Sequence, residues 1–428
     1  MKRMVCILLA LVLVLGLTAC GNSGAATTDK NVTELVLWGH QEEAWNASYQ
    51  KIADDFMAKN PDIKIRLEFF PYDDFEAKVQ TSLMSKTSEA DIYEIWGGWG
   101  LDYASTGALA AMPDVMANSI RDDAYPSTYG ALEHEGKLYG LPMEFNIECG
   151  GMLVNNAILE ANGLTIPTTW DEMIEGAKKA TKVENGVFSV KGFDFVGWDG
   201  VPYTFAAMIM SQGSNYLNAD NTFNVTSPEA VKAFTTLADY ILVDGITDLQ
   251  GLTDASAMEN FQRLYAGQVL YVPHGPWVVA DGLSTFGLTH GKDFTYIAMP
   301  WFGDKVAFPA ETGWAIAVNG ASEKQEAAFR FLEYFFSDEV IMDHNVACGQ
   351  IPAKKSVGAS ADYLERFPYA QPLVGILENS QFIGPFNTDN FKEIVTVVFT
   401  DYCTGGIYAS AEEALADMEA KLNEIIIN

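Results

Sequence analysis

From Glu34 onward, short apolar runs alternate with stretches in which large apolar residues recur every three or four positions. Residues 34–38 (ELVLW) form an unbroken apolar run closed by Gly39, the pattern of a buried strand. Trp45, Tyr49, Ile52, Ala53, Phe56 and Met57 then share one helical face. Asn60-Pro61 ends that helix, because the residue before a proline is pushed out of the α region. Residues 63–70 read as a second strand, 75–83 as a helix, and 91–96 (DIYEIW) as a third strand followed by turn glycines. A βαβαβ start of this kind predicts a parallel sheet with helices on both faces.

A second α/β set follows. Short strands are predicted at 138–142, 152–155, 269–272 and 313–318. Helices are predicted at 170–181 (capped by Thr168 or Thr169), 205–212 and 229–242. Another is amphipathic through Ala327, Ala328, Phe331, Leu332, Phe335 and Phe336, and two more lie near 391–402 and 411–426. There is no fixed-period repeat. Two such units define a cleft, and ligands in open α/β sheets sit outside the carboxyl ends of strands. Segments 39–43, 96–100 and 274–277 each directly follow a predicted strand.

The start of the chain has a different pattern. Lys2 and Arg3 precede an apolar run from residue 4 to 17, the length of a signal-peptide core and too short for a comfortable membrane span. It ends in Leu17-Thr18-Ala19-Cys20, which resembles a bacterial lipobox, so residues 1–19 are expected to be a signal peptide and Cys20 to carry lipid. Residues 20–33 then serve as lipidated cysteine and flexible tether. This predicts an exported protein on the outer face of the cell membrane, held by lipid at Cys20. Of the remaining cysteines, Cys149, Cys348 and Cys403 fit no metal-ligand spacing and allow one disulfide at most.

Charge narrows the ligand. The 428 residues include 26 Lys and Arg against 57 Asp and Glu, a formal charge of −31. Such acidity excludes most nucleic-acid binding, which needs a basic face. Nine Trp, 18 Tyr and 25 Phe make stacking a theme.

Several segments resemble the extracellular solute-binding proteins of bacterial ABC importers, in the large sugar-binding group that includes maltose-binding protein. Residues 135–142 (EGKLYGLP) are similar to that family's dGKlYGlP segment, and 153–156 (LVNN) to its lYNk. Gly163-Leu164 with Pro167-Thr168-Thr169-Trp170-Asp171-Glu172 resembles its Gl..pPkTWdEl, and 261–267 with Gly275-Pro276-Trp277 its F..Gk…GpW. Residues 323–338 and 349–353 (GQIPA) match two later segments. The order is kept from about Val36 to Pro352. Val154 stands where the family has Tyr, and Trp96-Gly97-Gly98-Trp99 is unusually aromatic.

The resemblance implies an α/β, two-lobed type II periplasmic-binding-protein fold with the ligand cleft between lobes joined by hinge crossovers. The expected N-terminal lobe is 34–143 plus 312–345, and the C-terminal lobe 144–311 plus 346–428. It implies a carbohydrate ligand, an ABC permease as partner, hinge closure, no cofactor and no catalysis, in a monomer.

A sugar site needs aromatic platforms for C–H faces and fixed polar groups for hydroxyls. Trp277, after a Gly-Pro turn, matches the family's stacking tryptophan. One of Trp96 and Trp99 is expected to face the cleft. Trp314 lies just past a predicted hinge at Glu311-Thr312-Gly313, and alternation along the strand leaves its direction open. His40 and Glu42 fall in the loop beyond the first strand, where the family places polar contacts. Glu144, Asn146 and Glu148 alternate, which puts them on one face of an extended segment. Trp198, Asp199 and Tyr203 form a polar-aromatic stretch, and Glu311 precedes the return strand. Trp38, Trp45 and Trp170 read as packing residues.

Other readings stay open. A secreted glycoside hydrolase also combines tryptophans with paired carboxylates. H-E-x-x-H, G-x-S-x-G and Walker A motifs are absent, and residues 287–293 (GLTHGKD) mimic a phosphate loop one residue short and ending in Asp. The five His lack metal-ligand spacing. Within the binding class, a peptide, polyamine or polyol is the alternative to a sugar, and a polyamine needs carboxylates facing an aromatic box.

Overall fold

The computed structural model describes residues 32–427 except 86–88 and 255. The 1–19 leader, Cys20 and the tether as far as residue 31 lie outside the described residues. No helix among the described residues is long and apolar enough to cross a membrane.

Two five-stranded sheets carry the fold. In chain order their strands are β1 (Thr33–His40), β2 (Ile63–Phe70), β3 (Ile92–Trp96), β4 (Leu141–Pro142) and β5 (Gly151–Asn155). They continue with β6 (Lys182–Glu184), β7 (Val187–Phe193), β8 (Val269–Pro273), β9 (Phe294–Ala298) and β10 (Trp314–Val318). The first sheet runs β2-β1-β3-β10-β4 and the second β9-β5-β8-β7-β6. Each sheet has its own buried apolar cluster, and the helices Thr388–Thr404 and Ala411–Asn423 pack into the second.

β1, β2 and β3 pair in parallel, as the βαβαβ pattern requires. The sheets as wholes are mixed. β10 runs antiparallel to β3 and β4, and β5 runs antiparallel to β8 and β9. The cause is connectivity. β10 enters directly from the other lobe at the cleft, so it starts where β1 and β3 end.

Local chemistry sets the element ends. The helix Glu43–Lys59 buries Trp45, Tyr49, Ile52, Ala53 and Phe56, and Glu42 caps it by accepting the Trp45 N–H at 2.8 Å. Thr169 caps Trp170–Ala180 by accepting the Glu172 N–H, while Glu172 accepts back from Thr168.

The described chain passes between the sheets three times, around 143–150, 299–313 and 349–353. These crossovers lie side by side. Glu144–Phe145 pairs antiparallel with Ile351–Pro352, and Phe145 also bridges Thr312. Cys149, Cys348 and Cys403 are all free thiols.

Candidate functional site

The carboxyl ends of β1 and β3, the amino end of β10 and the crossovers enclose a cleft of about 910 Å³. One wall carries His40, Glu42, Trp45, Tyr72, Trp96 and Trp314. The crossovers supply Glu144, Asn146, Glu148, Glu311 and Gln350 as a floor. The opposite wall carries Trp198, Asp199, Trp277, Asp281, Ser284, Asp389 and Lys392.

Backbone constraints hold the floor. The Trp314 N–H donates to Glu144 Oε1 at 3.0 Å. To reach it, the Glu144 side chain crosses over residue 313, where a Cβ would lie 2.5 Å from that oxygen, so any larger residue there would displace the Glu144 carboxyl. The other Glu144 oxygen is buried without a hydrogen-bond partner. Burial pushes the Glu144 carboxyl up to about 8. Asn146 Nδ2 donates to Glu311 Oε1 at 3.2 Å, and the hydroxyls of Tyr203 and Thr388 face the same carboxyl.

One buried cation balances part of this acidity. Lys392 Nζ lies 3.0 Å from Asp199, 3.5 Å from Asp389 and 3.7 Å from Glu311, and 5.6 Å from the Trp96 ring centre. Burial disfavours its charge, but the three carboxylates outweigh burial and hold it well above the usual lysine range.

The aromatic wall centres on Trp314. The His40 ring stacks on it with centroids 4.5 Å apart and planes at 15°. His40 is fixed by Glu94, which lies 2.8 Å from its Nδ1 and accepts its backbone N–H at 2.8 Å. Burial works against a charged His40, yet the Glu94 carboxylate prevails and its pKa lies above the ordinary value. On the other wall Trp277 stands edge-on to His274 at 4.7 Å and to Phe261 at 5.4 Å.

Most of the sequence-predicted residues meet here. Glu144, Asn146 and Glu148 all line the cleft, and so do Trp96, Trp198, Asp199, Trp277, Glu311, Trp314, His40 and Glu42. Four expectations need correction. Trp99 does not reach the cleft: it is 3% exposed inside the helix Gly97–Ser105, and its indole N–H donates to Asp389 at 3.1 Å. Tyr203 is buried at 1% in the helix Gly200–Ser211, behind Glu311. His40 is the last residue of β1, not a loop residue, and Glu42 is the cap of the next helix. Trp45 packs at 6% exposure and also lines the cleft.

Sequence reasoning missed Lys392, Asp389, Tyr72, Asp281 and Gln350. A signal for Lys392 was present: with Thr396 it interrupts the apolar face formed by Phe391, Val395 and Phe399.

The chain belongs to the bacterial extracellular solute-binding proteins, whose family model matches residues 39–342. Among curated sequences it is 28% identical over 397 residues to a binding protein of Brucella abortus (strain 2308), spanning 88% of this chain and 89% of that one. The Maltotriose-binding protein of Pyrococcus abyssi is 22% identical, over 76% of this chain and 67% of its own. The fold is similar to an ABC substrate-binding protein from Listeria monocytogenes solved in complex with cycloalternan. The TM-score is 0.73 at 20% identity, covering 92% of this chain and 98% of that one.

The raised Glu144 carboxyl sets a pH expectation. Its ordinary value is 4.5 and its folded value about 8, so the folded state holds the proton more tightly. That stabilisation is complete below the ordinary value and is lost as pH rises through about 8. Glu148, Glu311 and His40 are raised too and share the sign, whereas His274 and His344, lowered to about 4 and about 3, act in the acid range. Between pH 6.5 and 9, Glu144 alone should cost about 2 kcal/mol. Glu144→Gln keeps an oxygen for Trp314 and should flatten the slope by about that amount. Urea denaturation at the two pH values tests it, and an identical slope in both proteins rejects the assignment.

Proposed function

We propose that this protein captures a sugar or oligosaccharide outside the cell and delivers it to an ABC import permease. The observation that carries this reading is a single cleft whose two walls and floor present tryptophans beside fixed carboxyl and amide groups. Aromatic faces suit the C–H faces of a sugar, and carboxyl oxygens accept its hydroxyls. The maltotriose and cycloalternan named for the relatives support the same ligand class.

The lobes, 34–143 plus 312–345 and 144–311 plus 346–428, rotate about the three crossovers. A sugar touching both walls binds the closed form better and shifts the population toward it. The closed form docks on the permease as a monomer, held to the membrane by lipid on Cys20 after removal of residues 1–19. No cofactor takes part and the sugar leaves unaltered.

A thermal-shift screen against mono- and oligosaccharides tests the ligand class, because a molecule that binds only the native state raises the melting temperature. Stabilisation by saccharides recovered intact supports the reading. Cleavage of the recovered sugar replaces it with a hydrolase, and a response confined to peptides or metals replaces the ligand class.

Within this reading Trp277 is a stacking platform. Trp277→Ala should weaken binding of a stabilising saccharide by about 1–3 kcal/mol, the scale for losing a buried aromatic face. Calorimetric titration of the folded variant measures it, and unchanged affinity removes Trp277 from the site.

A further inference from the structure

We propose that the cleft is built for a carbohydrate carrying a basic amine, with its ammonium group seated against Glu148. This rests on the carbohydrate reading above and names the subclass.

Seven carboxyl groups line the cleft, and they face one lysine and one histidine. Lys392 is committed to Asp199, Asp389 and Glu311. The Lys392 charge reaches Glu148 but makes no ion pair with it. The Glu148 side chain is 9% exposed, and among the described residues it has no hydrogen-bond donor. The nearest basic atom is His274 Nδ1, 3.8 Å away. That nitrogen accepts the Gly275 N–H at 3.0 Å, so it carries no proton and offers Glu148 neither a donor nor a charge. Burial, which lowers His274 to about 4, keeps the ring neutral.

A second floor acid is short of partners: Glu144, 1% exposed, leaves one carboxyl oxygen without a hydrogen bond. Trp277 packs on the same His274 and brings an aromatic face to this corner.

Burial leaves the Glu148 proton held in the open cleft, and an ammonium seated against this unpartnered side chain releases that proton to solvent and takes its place as a fixed counter-charge, which a neutral sugar does not do. An ammonium supplies both the charge and up to three donors, and a neighbouring indole favours it further. A remaining hydroxyl then satisfies Glu144. The cleft volume of about 910 Å³ suits a saccharide better than a single small amine.

The test is calorimetric titration of the whole chain with glucosamine and its oligomers. The same oligomers N-acetylated, cello- and malto-oligosaccharides, and spermidine serve as comparisons. The expected result is binding of an aminated saccharide at least about tenfold tighter than its N-acetylated counterpart, with affinity falling as salt rises. Glu148→Gln should abolish that ratio, whatever its effect on the affinity for neutral saccharides. If this variant does not fold, the ratio in the parent protein decides alone. Neutral saccharides that bind as well as or better than aminated ones overturn the proposal and leave the carbohydrate reading standing. Spermidine binding without any saccharide binding, or no response to any saccharide, overturns both.

Discussion

Replacing Trp314 by Ala should lower the free energy of unfolding by about 3–5 kcal/mol, the range for removing a buried tryptophan. Trp314 is 9% exposed and begins β10, where the second crossover enters the first sheet. Its ring meets His40 face to face at 4.5 Å and Trp96 edge-on at 5.2 Å. Trp45, Tyr72, Phe75 and Trp99 stand around it at 6.1 to 6.3 Å. Truncation therefore opens a cavity between rings that are anchored to a strand or helix of their own and cannot collapse into it. Urea denaturation of parent, Trp314→Ala and Trp314→Phe measures the effect, with Phe expected to lose less. A loss under about 1 kcal/mol in the alanine variant would mean that the aromatic wall does not depend on its central ring.

Lys392→Met should destabilise the fold by about 3 kcal/mol at neutral pH, the lower end for stripping one partner from a buried ion group. The lower end applies because Asp199 and Asp389 are each 39% exposed, while Glu311 is 1% exposed and bears most of the loss. Methionine keeps the stem's apolar volume, so the change isolates the charge. The loss should shrink at pH 5, where a proton takes over the lysine's role on Glu311, whose buried carboxyl is held above the ordinary value. Denaturation at pH 7 and pH 5 checks both parts. A variant as stable as the parent at pH 7 would show that cleft water already solvates these carboxylates.

Much of the site was legible because it follows from local pattern. The carboxyl end of a strand points at the cleft, which located the neighbourhood of His40 and Trp96. Alternation placed Glu144, Asn146 and Glu148 together, since period two survives even in a short extended crossover. Trp96 and Trp99 could not be separated, because the glycines between them read as a loop. The structure makes them the first turn of a helix, and the reason is close approach. A Cβ at residue 97 would lie 2.1 Å from Thr312 O, and one at residue 98 would lie 2.2 Å from Thr388 Oγ1. The helix turns Trp99 inward. Lys392 and Asp389 escaped for another reason. Lys392 pairs with Asp199, almost two hundred residues earlier, and Asp389 accepts from Trp99, almost three hundred earlier, and no local periodicity reports contacts of that range. The antiparallel β10 was hidden likewise, since its direction depends on where the chain comes from.

The side-by-side crossovers have a mechanical consequence. Glu144, Asn146 and Glu311 sit on or beside the segments that join the two bodies, so they lie near any axis about which those bodies turn. Displacement grows with distance from an axis. Floor groups therefore keep nearly the same spacing through the whole swing, while Tyr72 and Trp198, 57% and 49% exposed at the rims, travel furthest. In the closure proposed above, the floor acts as a fixed gauge and the rims as the long arms of a caliper.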